Sequence, residues 1–302
     1  YVRDPSIIWN ADSQSYFLFS TGNNVSIFKS ASLEGPWELQ GSVLPSCSVI
    51  QLDGRCTIWA PDVHYVNEQY VLYYAVSTLG SQDSAIGVAT SDTMEAGTWT
   101  DHGEVLSSTS GDTYNAIDPN LVQDDDGDLS LLFGSYWGGI FEARTVSRIF
   151  SRPDSLLDAL FLQTLPGTHI AGGNGSAEEG GYIYKKNSTY WLFFSQGTTG
   201  TFNASSLPSD PYKVRSAQSN NTYGPFYGQL GNNVATENGP GTIILASHDN
   251  VYAPGGQSVY SDPNTQRDVI VYHYNLYSNV SGDAVLGVDF LDFSAAWPTV
   301  TN

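Results

Sequence analysis

The chain is 302 residues long and carries a formal net charge of −20, because 31 Asp and Glu outnumber 11 Lys and Arg. Such a charge repels nucleic-acid phosphates and anionic lipid, so we predict that neither nucleic acid nor a membrane surface is a partner. A polyanionic polymer is disfavoured as a substrate for the same reason. No low-complexity tract or charge block marks a linker, and we therefore expect one domain over residues 1–302.

The composition is typical of an extracellular, strand-rich protein, with 19 Tyr, 7 Trp and 30 Gly and no long apolar repeat at helical spacing. The only cysteines, Cys47 and Cys56, are close enough to close a small loop as a disulfide, with two unrelated thiols as the alternative. No stretch reaches the length of a membrane span. We expect a secreted monomer whose leader has been removed, with glycans on some of its Asn-x-Ser/Thr acceptors. These acceptors are Asn24, Asn174, Asn187, Asn203, Asn220 and Asn279.

One pattern recurs along the chain: a small turn, a strand, a polar break and a second strand of apolar and aromatic residues. Five copies, about 55 to 80 residues apart, indicate a repeat architecture, and each has room for the four strands of a propeller blade. A two-sheet sandwich would not need the same strand pair five times. The sequence therefore predicts an all-β fold, a five-bladed β-propeller. The copies begin at Arg3, Trp59, Ala116, Glu178 and Ala253.

Acidic residues stand near the start of three copies. Counting back 16 or 17 residues from the serine that closes the second strand gives Asp4, Asp118 and Glu179. The count thus predicts matching positions for these acids in blades 1, 3 and 4. The equivalent position in blade 2 is Ala60, and in blade 5 it lies near residues 255–256.

The adjacent acids Glu178 and Glu179 cannot both face the propeller axis, because successive strand residues point to opposite faces. The count selects Glu179 for the axis. Acids that converge on one funnel raise one another's pKa values, which suits a site that needs one ionised and one protonated carboxyl. The alternative is that each Asp-Pro pair is only a turn whose Asp caps backbone amides.

Several runs in the chain together resemble glycoside hydrolase family 43, and within it the fungal endo-acting arabinanases. The runs are RDPSII, IWAPDV, NAIDPNL, GSYWGGI, the Glu179 strand and DFSAAWP, and the match spans essentially the whole chain. The resemblance implies an inverting hydrolase of internal α-1,5-L-arabinofuranosidic bonds in arabinan, a pectin side chain. It also implies that Asp4 is the general base, Glu179 the general acid, and Asp118 the residue that tunes and orients the acid. Inversion needs two carboxyls about 6.5 to 9.5 Å apart.

The same resemblance suggests which residues contact the sugar. Trp59 and Trp137 are similar to substrate-stacking positions of the family, with propeller core as the alternative. We expect Asn115 and Ser135 to contact hydroxyl groups or water. Arg215 is similar to a family position near the wall of the active site, and a salt bridge is the alternative.

Family arabinanases often hold a hydrated metal ion, commonly calcium, on the axis through a histidine in a GPGHN-like run. The corresponding run here is APGGQSVY, with Gly256 at the histidine position and Gln257 after it. His248 and His273 are the remaining candidate ligands, each with a structural role as the alternative. We expect that the chemistry needs no cofactor, and a structural calcium or sodium ion stays an open alternative.

The other motifs considered do not indicate a calcium loop, a serine hydrolase or a nucleotide site. The acidic run at 123–129 lacks the flanking acids of an EF-hand and is predicted to be an Asp-Gly hairpin. The chain has no Gly-x-Ser-x-Gly elbow and no phosphate-binding glycine loop. A glycan on Asn174 would crowd Glu179, so we expect that acceptor to be unmodified. An exo-acting arabinanase, an α-L-arabinofuranosidase, a β-xylosidase or a non-catalytic carbohydrate-binding propeller are the alternative functions.

Overall fold

The computed structural model describes residues 1–144, 165–236 and 239–301. These residues form 20 strands in five antiparallel sheets, and each sheet uses four consecutive strands in chain order. The prediction of a five-bladed β-propeller is therefore confirmed. None of the described residues forms a helix, so this part of the chain has no helix long and apolar enough to cross a membrane.

The bounds of the strands are as follows. Blade 1 consists of β1 (Ser6–Asn10), β2 (Ser15–Ser20), β3 (Ser26–Ser30) and β4 (Glu38–Ser42). Blade 2 consists of β5 (Trp59–Val66), β6 (Gln69–Val76), β7 (Ser84–Ser91) and β8 (Thr100–Ser108). Blade 3 consists of β9 (Asn120–Gln123), β10 (Leu129–Phe133), β11 (Ile140–Arg144) and β12 (Thr168–Ala171). Blade 4 consists of β13 (Glu178–Lys186), β14 (Thr189–Gln196), β15 (Lys213–Ser219) and β16 (Thr242–Leu245). Blade 5 consists of β17 (Val251–Ser261), β18 (Asp268–Leu276), β19 (Val285–Asp292) and β20 (Thr299–Thr301).

The second strand of each blade is buried on both faces, which explains its continuous apolar sequence. In β6 and β14 nearly every residue is buried, because neighbouring blades cover both sides of the sheet. The hairpin between β5 and β6 turns through Asn67 and Glu68, whose φ angles of 50° and 65° match a type I′ turn. The acidic run at 123–129 forms the hairpin between β9 and β10, as predicted.

Hydrophobic side chains fill every space between neighbouring blades. Each of five buried clusters contains residues of two adjacent blades, so that packing runs continuously around the ring. Each cluster has fully buried residues in both of its blades. They include Phe17 and Tyr74, Tyr73 and Phe133, Leu132 and Phe194, Phe193 and Ile270, and Leu18 and Val271.

Blade 5 meets blade 1 without exchanging a strand, because each blade keeps its own four strands. Packed side chains and hydrogen bonds make the junction instead, among them the bond from the N–H of Val2 to the carbonyl of Ala284 at 2.9 Å. Ser258 Oγ donates to the carbonyl of Pro5 at 2.8 Å, and the hydroxyl of Tyr16 donates to Asp262 Oδ1 at 2.9 Å. The two ends of the described chain therefore close the ring through packing and these hydrogen bonds. The predicted disulfide between Cys47 and Cys56 is confirmed.

The first strand of every blade has a β-bulge whose leading residue has a positive φ; the bulge lies at or near the start of the strand in blades 1 to 4 and in the middle of β17 in blade 5. In blade 4, for example, Glu179 pairs with Ser195 but Tyr182 pairs with Phe193, so two residues of β13 face one residue of β14. The same shift of register occurs in the other four blades. The leading residues are Asp4 (46°), Ala60 (45°), Asp118 (55°), Gly180 (60°) and Gly256 (58°).

The bulges correct the register predicted for blade 4 by one residue. The count placed Glu179 at the position of the two aspartates, whereas the structure places Gly180 there. The serines used for counting are not equivalent: Ser20 lies opposite the bulge of blade 1, and Ser195 pairs with the residue before the bulge of blade 4. The hairpin loops between the first two strands also differ in length, so a fixed spacing does not mark one position.

Candidate active site

A cavity of about 530 Å³ lies where the five bulges meet. All five bulge residues line it, and so does the residue before the bulge in blades 1 to 4. The structure thus brings Asp4, Asp118 and Glu179 together in one cavity, although they come from three blades and lie far apart in sequence. Glu179 stands one position earlier than the aspartates, and its side chain is longer by one methylene.

Asp4 is held by donors that favour its ionised form. The hydroxyl of Thr21 donates to Oδ2 at 2.6 Å and accepts the N–H of Ala60, so that its proton points to Asp4. His273 Nδ1 lies 3.4 Å from Oδ1. Burial alone would raise the pKa of Asp4, but His273, Thr21 and the nearby positive charge of Arg3 together lower it. Asp4 is therefore equipped to remain an anion.

Asp118 and Glu179 have the opposite electrostatics. Burial raises the pKa of Asp118 well above its ordinary value, and the charges of Glu179 and Asp4 raise it further. The N–H of Gly180 donates to Asp118 Oδ2 at 3.1 Å and opposes that rise. Because the carboxyls of Asp118 and Glu179 interact, they titrate as a pair that keeps a proton to higher pH than either would alone.

Both oxygens of the Glu179 carboxyl contact hydroxyl groups. Ser135 Oγ donates to Oε2 at 2.7 Å, and the hydroxyl of Tyr212 donates to Oε1 at 2.9 Å. Burial raises the pKa of Glu179 and the charge of Asp4 adds to the rise, while the two hydroxyls and Arg3 oppose it. The net pKa is above that of an ordinary glutamate.

Glu178 belongs to a different environment. Its Oε1 accepts from Gln196 Nε2 at 2.9 Å and its Oε2 accepts from Ser176 Oγ at 2.9 Å. It is buried but does not line the cavity. Of the two adjacent glutamates, the structure therefore places only Glu179 with the aspartates.

The residues predicted to contact the sugar are dispersed. Trp59 lines the cavity at the position before the bulge of blade 2. Ser135 reaches the site, but its hydroxyl is bonded to Glu179. Asn115 is buried, and neither it nor the half-exposed Trp137 lines the cavity. Substrate contacts by these four residues stay predictions.

Arg215 does not form part of the cavity wall that the resemblance suggested. Its Nε donates to Gln196 Oε1 at 2.6 Å, and its Nη1 donates to the carbonyl of Gly241 at 3.0 Å. Burial lowers the pKa of the guanidinium, and the charges of Glu178 and Asp210 oppose that change. Arg215 thus links β14, β15 and the segment before β16 through neutral acceptors.

Three residues of the site were not found from the sequence. Arg3 and Thr21 line the cavity beside Asp4, and Tyr212 lines it beside Glu179. Arg3 was detectable in principle, since it occupies in blade 1 the position that Glu179 has in blade 4. Tyr212 had no local signal, because its contact with the acid spans 33 residues.

The cavity does not fit a metal ion held by His273. Both ring nitrogens already face partners, since Nδ1 lies near Asp4 and Nε2 lies 3.2 Å from Nη1 of Arg3. A cation at Nε2 would meet the positive guanidinium. His248 is exposed and does not line the cavity. Among the residues that the structure describes, no three His, Cys, Asp or Glu side chains are grouped to hold a metal.

The site can supply an anion on one side and a proton on the other. Asp4 can accept a proton from water, and the pair of Asp118 and Glu179 can deliver one to a leaving oxygen. A sequence profile decides the family: "Glycosyl hydrolases family 43" matches residues 1–287. The chain belongs to glycoside hydrolase family 43. This propeller is therefore a glycoside hydrolase.

Known proteins match this family 43 chain over nearly its whole length. The "Probable arabinan endo-1,5-alpha-L-arabinosidase A" of Aspergillus flavus is 44% identical over an alignment of 302 residues that covers 99% of this chain and 90% of the relative. The GH43 endo-arabinanase from Bacillus licheniformis superposes with a TM-score of 0.81 at 31% identity, covering 99% of this chain and 97% of that one. An exo-1,5-alpha-L-arabinanase from a bovine ruminal metagenomic library superposes with a TM-score of 0.84 at 26% identity, covering 100% and 97%.

Proposed function

We propose that this family 43 enzyme hydrolyses internal α-1,5-L-arabinofuranosidic bonds of arabinan with inversion at the anomeric carbon. The observation that carries the proposal is the pairing of a carboxyl with lowered pKa, Asp4, and a carboxyl with raised pKa, Glu179, in one cavity. The substrate class is supported by the fungal relative, which is named as an endo-acting arabinosidase and is 44% identical over 99% of the chain.

In the proposed reaction Asp4 is the general base and Glu179 the general acid. Asp4 takes a proton from a water molecule whose oxygen attacks the anomeric carbon. The bond from that carbon to O5 of the next arabinose breaks, and its electron pair goes to O5. Glu179 gives its proton to O5, and the new C–O bond forms on the face opposite to the leaving group, which inverts the configuration.

The hydrogen bonds favour Glu179 over Asp118 as the holder of the proton. The N–H of Gly180 can only donate, so it favours an unprotonated oxygen on Asp118. The hydroxyls of Ser135 and Tyr212 can turn from donor to acceptor when Glu179 is protonated. Asp118 therefore acts as the neighbouring negative charge that keeps the proton on Glu179.

Two alternatives keep the same cavity but change the outcome. Exo-acting cleavage is represented by the ruminal enzyme, which shares the fold at 26% identity. A carbohydrate-binding propeller without activity would use the three acids only to bind hydroxyl groups. The endo reading is favoured because the fungal relative has the higher identity, 44%.

The decisive experiment is a time course on linear 1,5-arabinan that resolves products by chain length. The proposal expects a spread of short oligomers early in the reaction with the wild type, and a rate loss of about 100-fold or more with Glu179→Ala. Release of arabinose alone, or of one fixed oligomer, would replace endo by exo action. Binding of arabinan without any hydrolysis would leave only the carbohydrate-binding alternative.

We also propose that the protein is a secreted, glycosylated monomer that needs no metal for the chemistry. The disulfide Cys47–Cys56 and the exposed acceptor Asn187, at the tip of the β13–β14 hairpin, support secretion. Secretion from a fungal host, with a mass decrease after removal of N-glycans, would test the first two points. Light scattering would test the monomer, and an unchanged kcat after dialysis against EDTA would support catalysis without a metal.

A further inference from the structure

We propose that Gln257 is a positioning residue that fixes the strand of the general acid, an inference that rests on the proposed function. Gln257 is buried, lines the cavity and directly follows the bulge residue Gly256. An amide cannot serve as the acid or the base of the reaction. Its effect is exerted through the backbone that carries Glu179.

The amino acid that directly follows each bulge residue explains why the strand of Glu179 needs such support. Proline fixes its own φ and stiffens the start of a strand. Blade 4 instead has Gly181 after the bulge residue Gly180. Glycine loses more conformational freedom on folding than any other residue, so this pair makes the backbone beside Glu179 costly to hold in one conformation. Among the three strands that carry the acids, the strand of Glu179 is therefore the least restrained by its own sequence. The blades that have proline after the bulge residue do so at Pro5, Pro61 and Pro119.

The amide of Gln257 holds both strands that flank the acid. Its Nε2 donates to the carbonyl of Gly180 at 2.7 Å, and its Oε1 accepts from Ser195 Oγ at 2.7 Å. Ser195 is the residue that pairs with Glu179 across β13 and β14. The N–H of Gly256 also donates to Ser195 Oγ, at 2.9 Å. Blade 5 thus fixes the residue after the acid and the residue opposite the acid.

The contact with Gly180 also reaches Asp118. The N–H of Gly180 donates to Asp118 Oδ2 at 3.1 Å, and this N–H belongs to the peptide plane that starts at Glu179. Blade 3 therefore holds one peptide of Gly180 and Gln257 holds the other. Loss of the amide would free one of the two restraints that set the distance between the acid and the aspartate that tunes it.

The Nε2 and Oε1 ends of the Gln257 amide make different hydrogen bonds. The carbonyl of Gly180 only accepts, so it requires an N–H, which methionine and glutamate both lack. Methionine keeps the length of the side chain without the hydrogen bonds. Glutamate keeps the shape but adds a carboxyl beside the three acids, and its negative charge when ionised raises the pKa of Glu179.

The test compares the wild type with Gln257→Met, using Gln218→Met on β15 as the matched control. Each is assayed on linear 1,5-arabinan and on the 4-nitrophenyl glycoside of α-1,5-arabinotriose, whose leaving group needs little protonation. A displaced acid should lower kcat on arabinan by about 30-fold or more, since a shift on the order of 1 Å can cost about 100-fold. KM should stay within about threefold, and kcat on the aryl glycoside should fall by less than about fivefold. The control should match the wild type on both substrates.

Equal losses on the two substrates would overturn the inference, because a merely misfolded fraction lowers both rates alike. An unchanged kcat on arabinan would overturn it as well. If Gln257→Met does not fold, Gln257→Glu replaces it, because glutamate also lacks the N–H, and the expected result is again a larger loss of kcat on arabinan than on the aryl glycoside. Equal losses on the two substrates, or an unchanged kcat on arabinan, would overturn the inference with this variant too. If the wild type cleaves neither substrate, the proposed function fails first and the positioning role falls with it.

Discussion

Arg3 and Glu179 occupy equivalent positions in blades 1 and 4, each one residue before a bulge, and they place opposite charges on the wall of one cavity. Arg3 is fixed there, since Nη1 donates to Thr199 Oγ1 at 3.2 Å and Nη2 donates to the carbonyl of Gly200 at 2.7 Å. Burial raises the pKa values of both Asp4 and Glu179, and Arg3 opposes that rise in both. One cation thus limits the pKa values of base and acid together.

Replacing Arg3 with glutamine should move the whole pH–rate profile to higher pH. Without the guanidinium, ionisation of Asp4 and of Glu179 becomes less favourable, so the acid limb and the alkaline limb both move to higher pH. The measurement is kcat/KM on arabinan across pH. Arg3→Lys keeps the charge and should leave both limbs near their wild-type positions. A profile of Arg3→Gln that stays in place would contradict this account.

Replacing Asp118 with asparagine should shift only the alkaline limb, and to lower pH. The negative charge of Asp118 disfavours ionisation of Glu179, so its removal lowers the pKa of the acid and shortens the pH range in which the acid is protonated. We expect kcat at neutral pH to fall by about 10-fold or more. The control is Asp126→Asn, on the exposed β9–β10 hairpin of the same blade. An alkaline limb that moves upward would show that Asp118 does not tune Glu179.

Adding a methyl group at Gly256 should abolish most of the activity. A Cβ there would lie 2.4 Å from Asp4 Oδ1 and 2.6 Å from His273 Nδ1, so the base must be displaced. We expect Gly256→Ala to lose about 100-fold in kcat/KM on arabinan.

Gly97→Ala is the control for backbone strain, because Gly97 also has a positive φ, of +86°, but nothing lies within 4 Å of the added carbon. This variant should lose stability without losing activity per folded molecule. Comparable activity of the two folded variants would mean that Asp4 tolerates displacement.

The junction between blades 5 and 1 should be sensitive to cavities. Leu18 is fully buried at this junction, whereas Leu39 on β4 is 58% exposed. Leu18→Ala should lower the free energy of unfolding by about 2 to 5 kcal/mol, and Leu39→Ala should change it little. Calorimetry on the two variants makes the comparison, with the midpoint of Leu18→Ala lower by several degrees. Equal midpoints would show that packing at the junction does not limit stability.

The sequence was sufficient to predict the blades, because the repeated pair of strands is a local pattern. The first strand of each blade and the following apolar strand repeat in all five copies, and their spacing indicated five blades. The register at the axis was harder. The serine count selected Glu179, which does line the cavity, but it assigned this residue to a bulge position that Gly180 occupies.

The hydrogen-bond partners of the acids could not be predicted, because they depend on contacts between distant parts of the chain. Tyr212 precedes β15 and reaches Glu179 across the blade, and His273 on β18 approaches Asp4 across 269 residues. No spacing rule links such pairs. Ser135 was predicted from the sequence to contact the sugar or water, whereas in the structure its hydroxyl donates a hydrogen bond to Glu179.

The ring of bulges has a consequence for how this fold can acquire new chemistry. Three of its five leading residues, Ala60, Gly180 and Gly256, carry no acid, and Gly180 directly follows the acid Glu179. Gly256 is closed by its neighbours, whereas Ala60 lines the cavity with the same backbone conformation as Asp4 and Asp118. A single codon change at Ala60 would therefore project a new functional group toward the substrate from an existing anchor. The repeated blade thus leaves one cavity position, Ala60, without a functional side chain, and a substitution there can add one without altering the fold.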